Sequence, residues 1–244
     1  MVVADINSGD ASRVAEAIVR QGGRAEARQV DVSSEDAVRL TVEETAASHG
    51  RLDYLFNNAG IGIGGRCPGP DLRALAPGTR RGPVRGHLRH ARRLPDHDPA
   101  GIRPHRQHLV ISRAAARTVQ RPYNTSKHAV VGLSLSLRIE AADLGVKVSV
   151  VCPGFVRTSI YQTAVTVNIP QDKASASARV AAMMMEPPRA AQVILNGVEK
   201  NQAVIVFPAS IRWVWRAYRV APALISRLLA PLLRKRIRNC GAIA

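Results

Sequence analysis

The sequence predicts an α/β fold, on three observations. Short apolar or β-branched runs alternate with helical runs over most of the chain. One apolar run, Leu52–Phe56, ends in Asn57-Asn58-Ala59-Gly60. Another, Val146–Val151, ends in Cys152-Pro153-Gly154.

In chain order, Val2-Val3-Ala4-Asp5 reads as a buried strand ending in a carboxylate. A helix from about Ser8 to Arg20 follows and stops at Gly22-Gly23. Arg24 to Val32 gives the next strand, with Asp31-Val32 at its end. Ser33 then caps a helix reaching about His49, with Asp36 three residues on as its capping-box partner. Gly60-Ile61-Gly62-Ile63-Gly64-Gly65 follows a strand and opens no amphipathic helix, so it reads as a loop. Pro122-Tyr123-Asn124-Thr125-Ser126-Lys127 opens a helix running from Lys127 to Asp143, with a buried strand after it at Val146–Val151. Pro153-Gly154 makes a turn. Residues 159–186 form a long connection ending in Met183-Met184-Met185-Glu186, and its methionines suit an apolar ligand or a core patch. A helix from about Pro188 to Lys200 and a strand at Ala203–Val206 complete the sheet. Two domains are expected: 1–210, and a tail, 211–244.

Tyr123 and Lys127 lie one turn apart on the same helix face. Tyrosine titrates near 10 unperturbed, so proton transfer near neutrality requires a neighbouring cation that favours the phenolate. Lys127 supplies that charge.

The net charge is +17 and is carried by two segments. Residues 66–121 hold thirteen Arg against three Asp; residues 212–238 hold seven Arg and one Lys with no acid, leaving −1 for the rest. An enzyme-like, near-neutral body therefore bears two basic insertions. The first lacks the stacking aromatics that a nucleic-acid surface interleaves with its cations, and no nucleic-acid partner is expected. The second combines Trp213, Trp215, Tyr218, Leu224, Ile225, Leu228, Leu229, Leu232 and Leu233 with eight cations, which describes an interfacial amphipathic helix broken at Pro222 and Pro231. Peripheral membrane contact through 211–238 is the expected use. A helix packed on the substrate entrance or on another subunit is the alternative.

Between Arg66 and Arg121 there is no aromatic residue, Lys, Glu, Asn or Met, and no sustained period. The segment is expected to be irregular. With four-fold codons for Arg and Leu, the stretch Arg92–Ile111 read one nucleotide later permits AAYPIMIRQGFGHIVNISS. The same shift over Arg80–His90 permits DVDLFGVIYG, and a local frameshift accounts for both. The five histidines from His87 to His108 follow from the same shift, and no metal site is expected. Cys67, Cys152 and Cys240 are widely separated and read as free thiols. No basic-plus-apolar leader or membrane-length apolar run is present, so a cytoplasmic protein is expected, with the membrane contact of its tail.

Asn-Asn-Ala-Gly at 57–60, Tyr-x-x-x-Lys at 123–127 and Pro-Gly-x-Val-x-Thr at 153–158, in that order, resemble the short-chain dehydrogenase/reductase family over residues 1–65 and 122–210. The resemblance implies a Rossmann-like doubly wound parallel sheet, an NAD(P) cofactor, and hydride exchange with a secondary alcohol or carbonyl. The C-terminal tail suggests that this substrate is lipophilic. The resemblance makes Tyr123 the proton donor or acceptor and Lys127 its partner, also holding the nicotinamide ribose. Asp5 would bind the adenosine ribose hydroxyls and repel a 2′-phosphate, which favours NAD over NADP. Asp31 and Val32 would meet the adenine, and Asn57, Ala59 and Gly60 would line the adenosine side. Pro153, Gly154, Val156 and Thr158 would meet the nicotinamide end, and residues 159–186 would cover the substrate.

The chain departs from the family at three places. The first strand and its glycine-rich phosphate turn would lie ahead of Met1. The catalytic serine is expected about a dozen residues before the tyrosine, where Val110 stands; Ser112 can serve only with a shortened intervening loop. The family's relay asparagine has no counterpart, and the helix that would form the dimer face falls in 66–121, so the usual homo-oligomer is not expected. A catalytically inactive relative, kept as a binding or membrane-associated protein or produced by a defective gene, is the alternative reading.

Overall fold

A computed structural model describes residues 1–60, 63–65, 108–112, 121–158, 165–167 and 183–239. The strands are β1 (Val2–Asp5), β2 (Glu26–Gln29), β3 (Tyr54–Asn57), β4 (Ile63–Gly65), β5 (His108–Ser112), β6 (Lys147–Pro153), β7 (Val165–Val167) and β8 (Val204–Phe207). The helices are α1 (Ser8–Arg20), α2 (Glu35–His49), α3 (Arg121–Glu140), α4 (Pro187–Glu199), α5 (Ala209–Val220) and α6 (Pro222–Asn239).

The largest sheet has the order β3-β5-β6-β8, and every pair in it is parallel. Side chains alternate across β6, so helices are needed on both faces. Val148, Val150 and Cys152 pack on one side with Val130 and Leu137 of α3 and with Ala141 just beyond it. Val151 faces the other way, joining Val110, Ile205 and Phe207 against Ala190 and Val198 of α4. This is the doubly wound arrangement: a fully buried β-branched strand held between two helical layers.

At Gly197 helix α4 comes so close to β8 that a Cβ would lie 2.7 Å from Ile205 Cδ1 and 2.8 Å from its Cγ1. Ile205 is buried and cannot swing away. Gly197→Ala gains up to about 1 kcal/mol of helix propensity, but overpacking costs about 1–3 kcal/mol. A net loss is expected, read as a lower urea midpoint at unchanged m-value.

The second sheet pairs β1 with β2, also in parallel. α1 is capped by Asn7, whose side chain accepts from the Gly9 and Asp10 N–H groups. It buries Ala11 and Ala15 but leaves Val14 and Val19 exposed. Tyr54 and Phe56 of β3 are exposed as well, stacked with ring centroids 6.3 Å apart. Among the described residues no strand joins β1 to β3.

Several expected elements are corrected. The cap of α2 is Ser34, which accepts from the Ala37 N–H; the Ser33 N–H instead donates to Asp31 Oδ1. The second strand is shorter than 24–32, and Asp31 and Val32 lie beyond its end, because the Asp31 carboxylate turns the chain there. Helix α3 begins at Arg121, before Tyr123: proline is tolerated in a first turn, where its missing N–H would have no intrahelical partner. Ile63–Gly65 is not a loop but a short strand paired with Val165–Val167. His108–Ser112 is not irregular: its apolar Leu-Val-Ile run takes a central place between β3 and β6. Residues 66–107 and 113–120 lie outside the described residues. The tail breaks before Pro222, but Pro231 lies inside α6, which continues to Asn239.

Candidate active site

Parallel strands bring their C-terminal ends to one edge of the main sheet. Asn57 ends β3, Ser112 ends β5, Pro153 ends β6 and Phe207 ends β8. The register staggers them along that edge, with Asn57 opposite Ile111, Ser112 opposite Val151 and Pro153 opposite Phe207. In open α/β sheets this edge is where ligands bind.

Arg138 sets the lengthwise position of α3. Its guanidinium donates to the Val148 carbonyl (2.5 Å) at the start of β6 and to the Asn201 carbonyl (2.9 Å) in the turn before β8. Lys127 lies eleven residues back from Arg138, about 16 Å along a helix. Pro153 lies five residues on from Val148, about 17 Å along a strand. The opening turns of α3, with Tyr123 and Lys127, are therefore level with the C-terminal edge. α3 also contacts β4, which pairs with β7.

At Gly154 the N–H donates to the Phe207 carbonyl (2.7 Å), closing the turn onto β8. A Cβ there would stand 2.9 Å from Pro208 Cδ and 3.2 Å from the Phe207 oxygen, so the approach requires glycine. Val156 bridges Met185: the Met185 N–H donates to the Phe155 carbonyl and the Arg157 N–H to the Met185 carbonyl. Arg157 Nε also meets Glu186 Oε1 at 2.8 Å. These contacts bring the two ends of the expected covering segment together, although most of 159–182 lies outside the described residues. Thr158 is exposed beside the bridge.

On the adenosine side, Asp5 is exposed at the end of β1, and its Oδ1 accepts from the Asn7 N–H at 2.9 Å. Hydrogen bonds from Ser33, backbone first, hold the Asp31 carboxyl below its usual range. Asp31 is therefore an ionised acceptor, with exposed Val32 beside it. Asn57 is half-buried, Ala59 and Gly60 are exposed, and a Cβ on Gly60 would meet nothing within 4 Å. Among the described residues, Asp5 and Asp31 thus offer carboxylate acceptors at and just beyond strand ends, and the space over Gly60 is open.

The structure separates Val110 from Ser112. Val110 is 3% exposed in the core behind the sheet, whereas Ser112 occupies the edge position. Phe207 and Pro208 escaped sequence reasoning, which ended the last strand at Val206. The signal was present: an apolar run followed by proline, as at Cys152-Pro153.

The family model for the short chain dehydrogenases matches residues 1–74 and 110–168. The chain belongs to the short chain dehydrogenase family. Its match skips 75–109, within the arginine-rich segment. "Probable oxidoreductase EphD" of Mycobacterium tuberculosis is 33% identical over 170 residues, 67% of this chain but 28% of that protein. The chain thus spans little more than a quarter of the first relatives it matches. "Estradiol 17-beta-dehydrogenase 11" of Pongo abelii is 27% identical over 243 residues, covering 96% of this chain and 74% of that one. Among solved structures, a short chain dehydrogenase/reductase from Burkholderia phymatum in complex with NAD aligns with a TM-score of 0.73 at 22% identity. The alignment covers 91% of this chain and 85% of that one, which identifies the Rossmann-like fold.

Proposed function

We propose that this short chain dehydrogenase transfers hydride between a nicotinamide cofactor, NAD in preference to NADP, and a lipophilic secondary alcohol or carbonyl. The observation that carries the reading is the edge itself: Asn57, Ser112, Pro153 and Gly154 end neighbouring parallel strands, level with the opening turns of α3 that hold Tyr123 and Lys127.

The cofactor, when bound, supplies the hydride chemistry. The chain binds, orients and moves a proton. Asp5 takes the adenosine ribose hydroxyls, Asp31 and Val32 the adenine, and Asn57, Ala59 and Gly60 the adenosine face. Pro153, Gly154, Val156 and Thr158 hold the nicotinamide end against the sheet edge. The Tyr123 phenolic oxygen exchanges the proton with the substrate oxygen, and the Lys127 ammonium favours the phenolate and holds the ribose. Ser112 would offer its hydroxyl to the substrate oxygen, provided the loop before Tyr123 is shortened.

A further parallel strand with its glycine turn would belong between β1 and β3, and the helix that follows it would cover Tyr54, Phe56, Val14 and Val19. Three things support this: these apolar side chains are exposed, β1 and β3 are unjoined among the described residues, and the known strand order has a place there. The nucleotide sequence ahead of Met1 and in all three frames tests it, and would also show whether 66–121 is read out of frame.

Titration with NADH, followed by fluorescence and by turnover of a secondary alcohol, tests the activity. Binding with turnover supports the reading. Absence of both favours a catalytically inactive relative, the second reading, which the skipped 75–109 recommends. For the cofactor preference, Asp5→Asn removes the charge that repels a 2′-phosphate. Because such like-charge contacts cost several kcal/mol, NADP use is expected to rise relative to NAD by about a hundredfold, read as the ratio of kcat/KM values. An unchanged ratio would remove Asp5 from the site.

The same reading has the protein working in the cytoplasm on a small molecule, without a nucleic-acid partner, and meeting a membrane peripherally through 211–238. A lipophilic substrate agrees with that tail and with the name of the Pongo relative.

A further inference from the structure

The C-terminal helices present apolar side chains to solvent. In α5, Ile211 and Trp215 face inward and pack against the cluster around Val130 and Cys152. On the opposite side stand Trp213, 68% exposed, Ala217, and Val220, 87% exposed, at spacings of four and three that align on one face. α6 also exposes apolar side chains one turn apart, Leu224 at 57% and Leu228 at 61%. Arg212, Arg216 and Arg219 run beside the α5 stripe with the same spacing, and Arg216 Cζ lies 5.4 Å from the centroid of the Trp213 ring. A surface helix normally turns its polar face outward; here the pole farthest from the core is apolar and flanked by cations. Among the described residues no helix is long and apolar enough to cross a membrane.

We propose that α5 and α6 dock on an anionic lipid bilayer, seating Trp213, Val220, Leu224 and Leu228 among the acyl chains and the arginines among the headgroup phosphates. Charge complementarity selects this occupant. Residues 212–238 carry eight cations and no acid, so a second copy would set +8 against +8. A nucleic acid would leave the Val220, Leu224 and Leu228 side chains facing phosphates and water. The arm also has an address on the enzyme. α5 starts directly after Pro208, whose ring closes on Gly154 at the nicotinamide end of the edge. Docking therefore lays that end of the site beside the bilayer, so that a lipophilic alcohol reaches it without crossing bulk water. This last step rests on the oxidoreductase reading, whereas the docking itself does not.

Both tryptophans of the chain lie in α5, so selectively excited tryptophan fluorescence reports on this helix alone. The full chain is mixed with vesicles of phosphatidylcholine, or of phosphatidylcholine with phosphatidylglycerol, and followed by emission and co-sedimentation. With the anionic vesicles a blue shift and co-sedimentation are expected, both weakening as salt rises. Each Arg→Gln change at 212, 216 or 219 should lower partition about fivefold, and Val220→Glu with Leu224→Glu should abolish it while circular dichroism stays that of the parent. Equal binding to pure phosphatidylcholine, a blue shift produced by duplex DNA or by self-association without vesicles, no shift at all, or undiminished binding by the double variant would each overturn the proposal. Tyr123→Phe should bind vesicles as the parent does, so loss of turnover and loss of docking are read separately.

Discussion

Tyr123→Phe is expected to lower kcat for a secondary alcohol by about 10²–10⁴-fold, the range of a positioned general acid or base, while leaving NADH affinity within a factor of a few. Phenylalanine keeps the ring and removes only the phenolic oxygen, so α3 should form as before. The measurement is steady-state turnover beside a fluorescence titration of cofactor. Parallel loss of binding would mean that the residue shapes the pocket; unchanged turnover would move the chemistry off α3 altogether.

Lys127→Gln should act through the same oxygen. Without the ammonium one turn away, the phenol returns toward its ordinary value near 10. The alkaline form that accepts a proton is then scarce near neutrality, and oxidation of the alcohol should fall about a hundredfold. Its rate should recover as pH rises, moving the acidic, rising limb of the kcat/KM profile to higher pH. Cofactor affinity should fall too, since Lys127 is assigned to the ribose, and this second effect separates it from Tyr123→Phe. A rate loss with an unshifted profile would make Lys127 a binding residue only.

Much of this fold was legible because it is local. The Val2–Asp5 and Ser8–Arg20 elements are where periodicity and the Gly22 stop put them, and Gly22 takes φ +83°, as a glycine stop should. The valine-rich run at 146–151 announced a buried strand, and Val148 to Cys152 are buried. The failures came where partners far apart in sequence decide. Ile63–Gly65 becomes a strand only because Val165–Val167 lies beside it, a pairing of residues about a hundred positions apart that no window contains. His108–Ser112 was lost among arginines, although three apolar residues suffice when two strands flank them. Ser33 and Ser34 are equally good caps on paper, and the Asp31 carboxylate chooses between them by taking the Ser33 N–H. The candidate site was legible as motifs, whose order along the chain matches the order of strand ends along the edge. Its closure was not: the Phe207 carbonyl on Gly154 and the Met185 bridge to Val156 are made by backbone, which leaves little trace in side-chain type.

The Arg138 fork holds a tyrosine it never approaches. One guanidinium staples the far end of α3 to two carbonyls from separate segments, so the whole helix is indexed from its tail, as a ruler is read from its zero mark. On the proposed reading, a lesion at that zero mark would be felt some four turns away, where Tyr123 opens the helix. Because two part-buried carbonyls would lose a charged donor, such a fault should lower the melting temperature and, on the proposed reading, slow the chemical step as well.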